Sequence, residues 1–387
     1  MNIIHVEDRF EPEAGYQINE LIKEQSSLNY NITIITSDIP IFSEENELKE
    51  MDKDFQKKYS VNIIRLKPLL VISQRFYFHK LFKIVNELNP DLVFLHGIVD
   101  FKDLVLYQRK KKYIIVRDCH MSWVASRNKF NKILPFFYSI FFSTFINNTS
   151  KYEKIYSLGV EESQYLKKLR IENSKVSLLP HGYNSKEVYY SKFYREKYRK
   201  KYKVDIEDVF VGYVGKLDSI KQPDLIFDIL EKLDEELKRR IKILIVGNFS
   251  RDYEDQFLSK VRDSYFSDKI VYERAQPYSN LFKYYSALDI CIWPKETTLS
   301  SIHSQVCRTI PIMEDHESNR ERVIYDKYLY KINDTNDASR AVKQAIYDLE
   351  SIDLNMLEKK IEDRDYHRRV KNLDIEWNKL LDEKKNN

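Results

Sequence analysis

Short runs of branched apolar residues alternate along the chain with longer stretches in which apolar positions recur every three or four residues. The runs at 2–6, 32–36, 91–95, 113–117 and 176–179 read as strands, and the amphipathic stretches between them read as helices. Strands alternating with helices build parallel βαβ units. The alternation restarts at 209–214 and continues through 242–246, 270–272, 290–293 and 310–313. The pattern therefore predicts an α/β chain of two Rossmann-like, doubly wound domains in sequence.

Between the two sets lies a Tyr- and Lys-rich stretch with little continuous apolar patterning, starting just after the His181-Gly182 turn. The expected boundaries are an N-terminal domain at 1–185, a linker at 186–207, a C-terminal domain at 208–365, and a C-terminal helix and tail at 366–387. In the second domain Leu225, Ile226, Ile229, Leu230 and Leu233 fall on one face of a helix beginning near Pro223, as in a helix that covers a sheet. After about Asn336 the chain reads as highly charged helix, and the closing DEKKNN reads as a frayed tail.

Composition narrows the function classes. With 387 residues, 43% of them hydrophobic, the chain can bury more than one sizeable core. Lys and Arg total 64 against 60 Asp and Glu, and a net charge of +4 leaves no nucleic-acid footprint. Cys119, Cys291 and Cys307 are unclustered, which argues against a disulfide framework or a zinc site and fits a reducing compartment. The opening MNIIHVEDRF has neither the basic leader nor the apolar stretch of a secretory signal, so a cytoplasmic protein is expected. The apolar segment 133–146 falls short of the roughly 18–20 residues that span a bilayer. Asp52 with Asp54, and Asp363 with Asp365, lie in charged stretches and read as solvated faces, so no metal is expected.

In open parallel sheets ligands bind outside the carboxyl ends of strands, so the loops after predicted strands carry the candidate chemistry. In GKLDSIKQPD, Gly215 permits a tight turn, and Lys216 and Lys221 are two cations suited to a diphosphate near a helix start. A solvated basic loop accounts for the same residues. In WPKETTLSSIHSQVCRTIPI, Glu296 follows a strand, and the hydroxyls of Thr297, Thr298, Ser300 and Ser301 stand where a helix begins. They serve equally as ligands to phosphate or sugar oxygens and as helix caps. In RDCHMSW, His120 is flanked by Asp118 and Trp123 and is placed either to donate to a sugar hydroxyl or phosphate or to serve structure. Gly15 in EPEAGYQ and His96 in LHGIVD each sit just past a strand of the first domain.

Taken in order, these segments resemble the family-four retaining glycosyltransferases of GT-B fold. LLPHGYN resembles the close of that family's first domain, YVGKLDSIKQPDLIFDIL its donor-phosphate loop and following helix, and YSALDICIWPKE its helix, strand and acidic loop. The resemblance implies that Lys216, in place of the usual Arg, and Lys221 contact the donor diphosphate; a Lys there keeps the charge but loses the bidentate fork. It places Glu296, the first glutamate of a paired motif, against the donor sugar. It puts Ser304 where the second glutamate commonly holds the ribose, and TTLSS, with Leu299 at its centre, where the family is glycine-rich. Bulkier residues keep backbone amides farther from a ligand than glycine does. His120 matches the family's acceptor-side histidine and Gly15 its N-terminal loop, with a glycine pair reduced to one. His303 has no counterpart role.

The resemblance implies two domains facing an interdomain cleft, and transfer of a sugar with retention from a nucleotide-diphosphate donor, a UDP-sugar above others. It needs no cofactor and no metal, since Lys216 and Lys221 stabilise the departing diphosphate. The implied acceptor is a glycan or lipid-linked molecule of bacterial surface-polysaccharide synthesis. Arg127, Lys129 and Lys132 beside the segment 133–146 are suited to peripheral contact with an anionic inner leaflet, and equally to the start of a core helix. Ser304 and the lost glycines also fit a catalytically silent subunit that binds or stabilises a partner transferase. A nucleotide-sugar epimerase on the same fold is a further alternative.

Overall fold

The computed structural model describes residues 1–387 except 42, 73–74, 103–111, 121–135, 137–138, 141–142, 148–151, 296 and 387. Two compact units emerge. The first joins Met1–His181 with Tyr366–Asn387, and the second is Gly182–Asp365.

The first unit contains β1 (Asn2–Val6), β2 (Asn31–Ser37), β3 (Asn62–Leu66), β4 (Leu70–Ile72), β5 (Arg75–Tyr77), β6 (Leu92–Leu95), β7 (Ile114–Cys119), β8 (Lys154–Ser157) and β9 (Val176–Leu178). Seven of them form one sheet in the order β3-β2-β1-β6-β7-β8-β9, parallel throughout; β4 and β5 pair antiparallel as a separate ribbon. The sheet is buried on both faces, as apolar runs without polar alternation require. Ile4, Val6, Val93, Leu95 and Ile115 pack to one side, and Ile3, Leu92, Phe94, Ile114 and Val116 to the other. The second face is covered by the helix Tyr366–Asn386, which contributes Tyr366, Val370, Leu373 and Trp377. The C-terminal stretch is thus part of the first unit's core, and the closing residues are helical to Asn386.

The second unit contains β10 (Val209–Val214), β11 (Ile241–Val246), β12 (Ile270–Glu273), β13 (Ile290–Trp293), β14 (Ile310–Glu314) and β15 (Leu329–Tyr330). They form a parallel sheet in the order β12-β11-β10-β13-β14-β15. The helix expected near Pro223 runs Leu225–Leu230 and buries Ile226, Ile229 and Leu230 in the core. Where the sequence pattern predicts a linker at 186–207, the structure has a helix, Lys192–Lys201, within the second unit. Its contacts are aromatic and ionic: Tyr198 meets Tyr284 edge-on at 4.9 Å, and Arg195 and Arg199 pair with Asp289 at 2.5 and 2.8 Å.

In each sheet the strand order reverses once, between β1 and β6 in the first unit and between β10 and β13 in the second. A crevice opens at the carboxyl ends of the strands on either side of such a reversal. Half of the apolar segment 133–146, together with Arg127, Lys129 and Lys132, lies outside the described residues. Among the described residues no helix is long and apolar enough to cross a membrane.

Candidate functional site

In the first unit, the carboxyl ends of β6 and β7 bring His96, Asp118 and His120 together. The Asp118 carboxylate bridges the two rings: Oδ2 lies 2.7 Å from His96 Nδ1, Oδ1 lies 2.9 Å from His120 Nε2, and Oδ1 also accepts from Gly97 N at 2.8 Å. Behind His96 the chain of contacts continues inward, from His96 Nε2 to His5 Nδ1 at 3.0 Å and from His5 Nε2 to the Gln25 amide at 2.8 Å. Burial, aided by the neighbouring His96, holds the His5 imidazole down at about 3, so it is neutral. His5 Nε2–H donates to Gln25 Oε1, which leaves the neutral His5 ring its Nδ1 as the acceptor facing His96 Nε2.

Burial works against charge on His120, yet the Asp118 carboxylate beside it prevails and raises the imidazole to about 9. Solvent reaches 38% of the His120 side chain, so the desolvation opposing the charge is incomplete. Burial alone would raise Asp118, but His120 and His96 hold its carboxyl well below the usual range. His120 is therefore a cation near neutrality, with its Nδ1–H across the ring from Asp118. These three side chains also place three ligand-capable atoms within 4.8 Å of one another; in the structure those atoms are one another's hydrogen-bond partners.

A second buried cluster adjoins β1. Lys102 lies 2.9 Å from Asp8 and 3.0 Å from Asp100, and Arg117 contacts Asp100 at 3.2 Å and the Gly97 carbonyl at 2.6 Å. It pins the loop after β6 that carries His96 and Gly97. Gly15 lies in the loop between β1 and the helix Gln17–Ser26 with φ +67°, a left-handed conformation that glycine adopts freely. Nothing in the sequence spacing marks Asp8, Asp100, Lys102 and Arg117 as one cluster, since they come from three separate segments.

In the second unit, Lys216 and Lys221 stand in the loop after β10. Lys216 is exposed, with Nζ 3.7 Å from Asp218, while Lys221 donates to the Thr297 carbonyl at 3.2 Å. Asp218, which the motif reading passes over, shapes this turn: its Oδ1 accepts from Ile220 N at 3.1 Å and Lys221 N at 2.8 Å. The loop is pressed against its neighbour after β11. Gly215 N donates to the Val246 carbonyl at 3.0 Å, and a Cβ placed on Gly247 would lie 1.9 Å from the Gly215 carbonyl oxygen. Only glycine fits at 247. Trp293, fully buried at the end of β13, donates from its indole to the Val214 carbonyl at 3.0 Å and ties the two crevice strands together.

Glu296 lies outside the described residues. Of the hydroxyls beside it, Thr297 donates to Asn319 Oδ1 at 3.0 Å, Thr298 accepts from Ser300 N at 3.2 Å, and Ser301 donates to the Thr298 carbonyl at 2.8 Å. Thr298 is thus engaged in shaping the helix start at Ser300, and Leu299 packs partly into the core. Ser304 is fully buried, and its hydroxyl donates to the Ser301 carbonyl one turn earlier at 3.1 Å. His303 is likewise buried, which lowers its imidazole to about 4. The structure thus gathers Gly215, Lys216, Lys221, Thr297 and Thr298 at one end of the second sheet, and turns Ser304 inward.

Residues 194–362, all within the second unit, match the family described as glycosyl transferases group 1. No curated protein matches the chain by sequence. Among solved structures the chain is similar to sucrose-phosphate synthase from Thermosynechococcus elongatus, with 15% identity, 98% of each chain covered and a TM-score of 0.71. It is similar to a glycosyltransferase from Rickettsia africae at 16% identity, 98% of each chain and a TM-score of 0.73. It is also similar to HepE from Anabaena in complex with UDP, at 11% identity, 94% of this chain, 99% of that one and a TM-score of 0.69. At these identities the likeness establishes the fold, which is GT-B.

Proposed function

We propose that the chain is a glycosyltransferase that moves a sugar from a nucleotide-diphosphate donor to a glycan or lipid-linked acceptor, in the synthesis of a bacterial surface polysaccharide. The observation that carries this reading is the Lys216–Lys221 loop at the carboxyl end of β10, inside the stretch that matches the group 1 glycosyl transferases. HepE, a structural neighbour, is described in complex with UDP, which favours a UDP-sugar as donor. The donor diphosphate is assigned to the second unit, with Lys216 and Lys221 as its cations and Glu296 beside the sugar. The acceptor is assigned to the first, with the His120 Nδ1–H as a donor to a hydroxyl or phosphate oxygen.

In the reaction proposed, the bond between the anomeric carbon and the β-phosphate oxygen breaks, and its electron pair leaves with the diphosphate. The acceptor hydroxyl oxygen bonds to the same face of the carbon, and its proton passes to the departing phosphate oxygen, so configuration is retained. Two lysines stabilise the charge that develops on that oxygen, and no step requires a metal. Charged hydrogen bonds of this kind contribute about 1.5–3 kcal/mol each. Calorimetric titration with UDP, GDP, CMP and ADP and their sugar conjugates tests the donor site. One nucleotide diphosphate is expected to bind, and Lys221→Ala to weaken it roughly ten- to hundredfold.

The buried, self-satisfied Ser304 favours one alternative, a silent GT-B subunit, because no carboxylate stands at that turn. Turnover measured for Glu296→Ala and Lys221→Ala separates the two. An enzyme loses activity in both variants, whereas glycosylation unchanged in both belongs to a subunit whose partner does the chemistry.

A further inference from the structure

The two cations of the loop after β10 are held differently. Lys216 is 70% exposed, with its Nζ 3.7 Å from Asp218. Lys221 is half-buried, and its ammonium donates at 3.2 Å to the Thr297 carbonyl, in the loop after β13 on the other side of the strand-order reversal. Thr297 is supported in turn. Its hydroxyl donates to Asn319 Oδ1 at 3.0 Å, and Asn319 Nδ2 donates at 2.8 Å to the carbonyl of Glu314, the last residue of β14. A row of three hydrogen bonds thus runs from the Lys221 ammonium, through Thr297 and Asn319, to the end of a strand.

Asn319 is fully buried, on the short helix Glu317–Arg320 that follows β14. A buried amide is costly unless its groups are satisfied, and here Thr297 satisfies one end and Glu314 the other. An apolar side chain would fill the same space without that demand, so the amide joins loop to strand where packing alone would not. Two further contacts tie the same loop down. Lys295 Nζ lies 2.6 Å from the Glu314 carboxylate, which also accepts from Asn333 N at 2.9 Å, and the Tyr330 hydroxyl at the end of β15 donates to the Pro294 carbonyl at 2.8 Å. Pro294, Lys295 and Thr297 are each anchored to residues beyond β13, which restrains the carbonyl on which Lys221 rests.

We propose that Asn319 is a positioning residue for the donor diphosphate: by holding Thr297, it sets where the Lys221 ammonium stands. The inference rests on the reading of Lys221 as a diphosphate cation. A lysine carries much rotamer freedom, and an ammonium placed in advance loses less of it when a phosphate arrives. Its three N–H donors let it keep the Thr297 carbonyl while another meets a phosphate oxygen. Buried as it is, Asn319 acts only through Thr297 and Lys221.

The full chain and its variants are titrated calorimetrically with UDP, GDP, CDP and ADP, each beside its monophosphate. The parent is expected to bind one diphosphate at least about tenfold more tightly than the matching monophosphate. Thr297→Val, which removes the hydroxyl and keeps the shape, and Asn319→Ala are each expected to weaken that diphosphate about fivefold and leave the monophosphate unchanged. Asn319→Ala leaves two partners unpaired and should also melt lower, so Thr297→Val carries the decision. Thr297→Ser keeps the hydroxyl and should recover the difference. In a Lys221→Ala background Thr297→Val should have no further effect, because its influence passes through the ammonium. Diphosphate and monophosphate weakened alike, no weakening in Thr297→Val, or an undiminished effect of Thr297→Val without Lys221 overturns the inference while the donor site stands. A parent that prefers no diphosphate to its monophosphate overturns the donor-site reading itself, and the inference falls with it.

Discussion

At the scale of single residues, the charge on His120 is set by a partner two positions earlier in the chain. Its imidazole stays protonated up to about 9 because Asp118 is held ionised beside it. Imidazole resonances followed by NMR should show one histidine titrating near 9, and Asp118→Asn should bring that titration down past the ordinary 6.5. The sign of the linked stability follows. A raised histidine contributes fully below 6.5 and loses its contribution as pH rises through 9, while the depressed Asp118 loses its own only as pH falls well below 4. Activity that relies on the His120 cation should accordingly decline above pH 9 in the parent, and at lower pH in Asp118→Asn. The position of His120 was readable from RDCHMSW, since a histidine just past a strand stands at a crevice. Its partner Asp118 lies in the same segment, but the row behind was not readable, because His96 is brought in by pairing of β6 with β7, His5 by pairing of β1 with β6, and Gln25 from the helix Gln17–Ser26. The same burial governs the cysteines: Cys291 and Cys307 are fully enclosed, and burial pushes both thiols up. They should react with a thiol reagent only as the protein unfolds.

At the scale of elements, the loop after β10 depends on its neighbour as much as on its own lysines. Gly247→Ala forces a Cβ onto the Gly215 carbonyl, and the two loops must part. A loss of about 1–3 kcal/mol in urea unfolding is expected, together with weaker nucleotide binding by calorimetry, even though no ligand-facing group is removed. The long apolar runs of β10, β11 and β13 announced themselves in the sequence because strands buried on both faces need no polar alternation. β3, β8 and β15 did not, being short segments such as NIIRL and KIYS that become strands by pairing with an existing edge. The helix Lys192–Lys201 escaped for a different reason. It has no buried residue, and holds its place through Tyr194, Tyr198, Arg195 and Arg199 rather than an apolar stripe.

At the scale of the whole molecule, the first unit is completed by chain that comes after the second. Trp377 fills its core, donates to the Tyr156 hydroxyl at 3.0 Å and meets Phe94 edge-on at 5.8 Å, and Phe94 in turn stacks on His96 at 4.4 Å. Trp377→Ala should cost about 3–5 kcal/mol in chemical denaturation and disturb the His96–Asp118 pair in the same stroke. That a charged tail would complete a core was hidden in the sequence, where Val370, Leu373 and Trp377 are spaced among Lys, Arg, Asp and Glu. The discontinuity also fixes an order in time. A ribosome releases Gly182–Asp365 as one uninterrupted stretch, whereas the first unit waits, its second sheet face uncovered, until Tyr366–Asn387 has emerged. A released chain truncated just before Tyr366 should therefore yield a protease-resistant second unit beside a first that is still digested, so that the part made first is the part finished last.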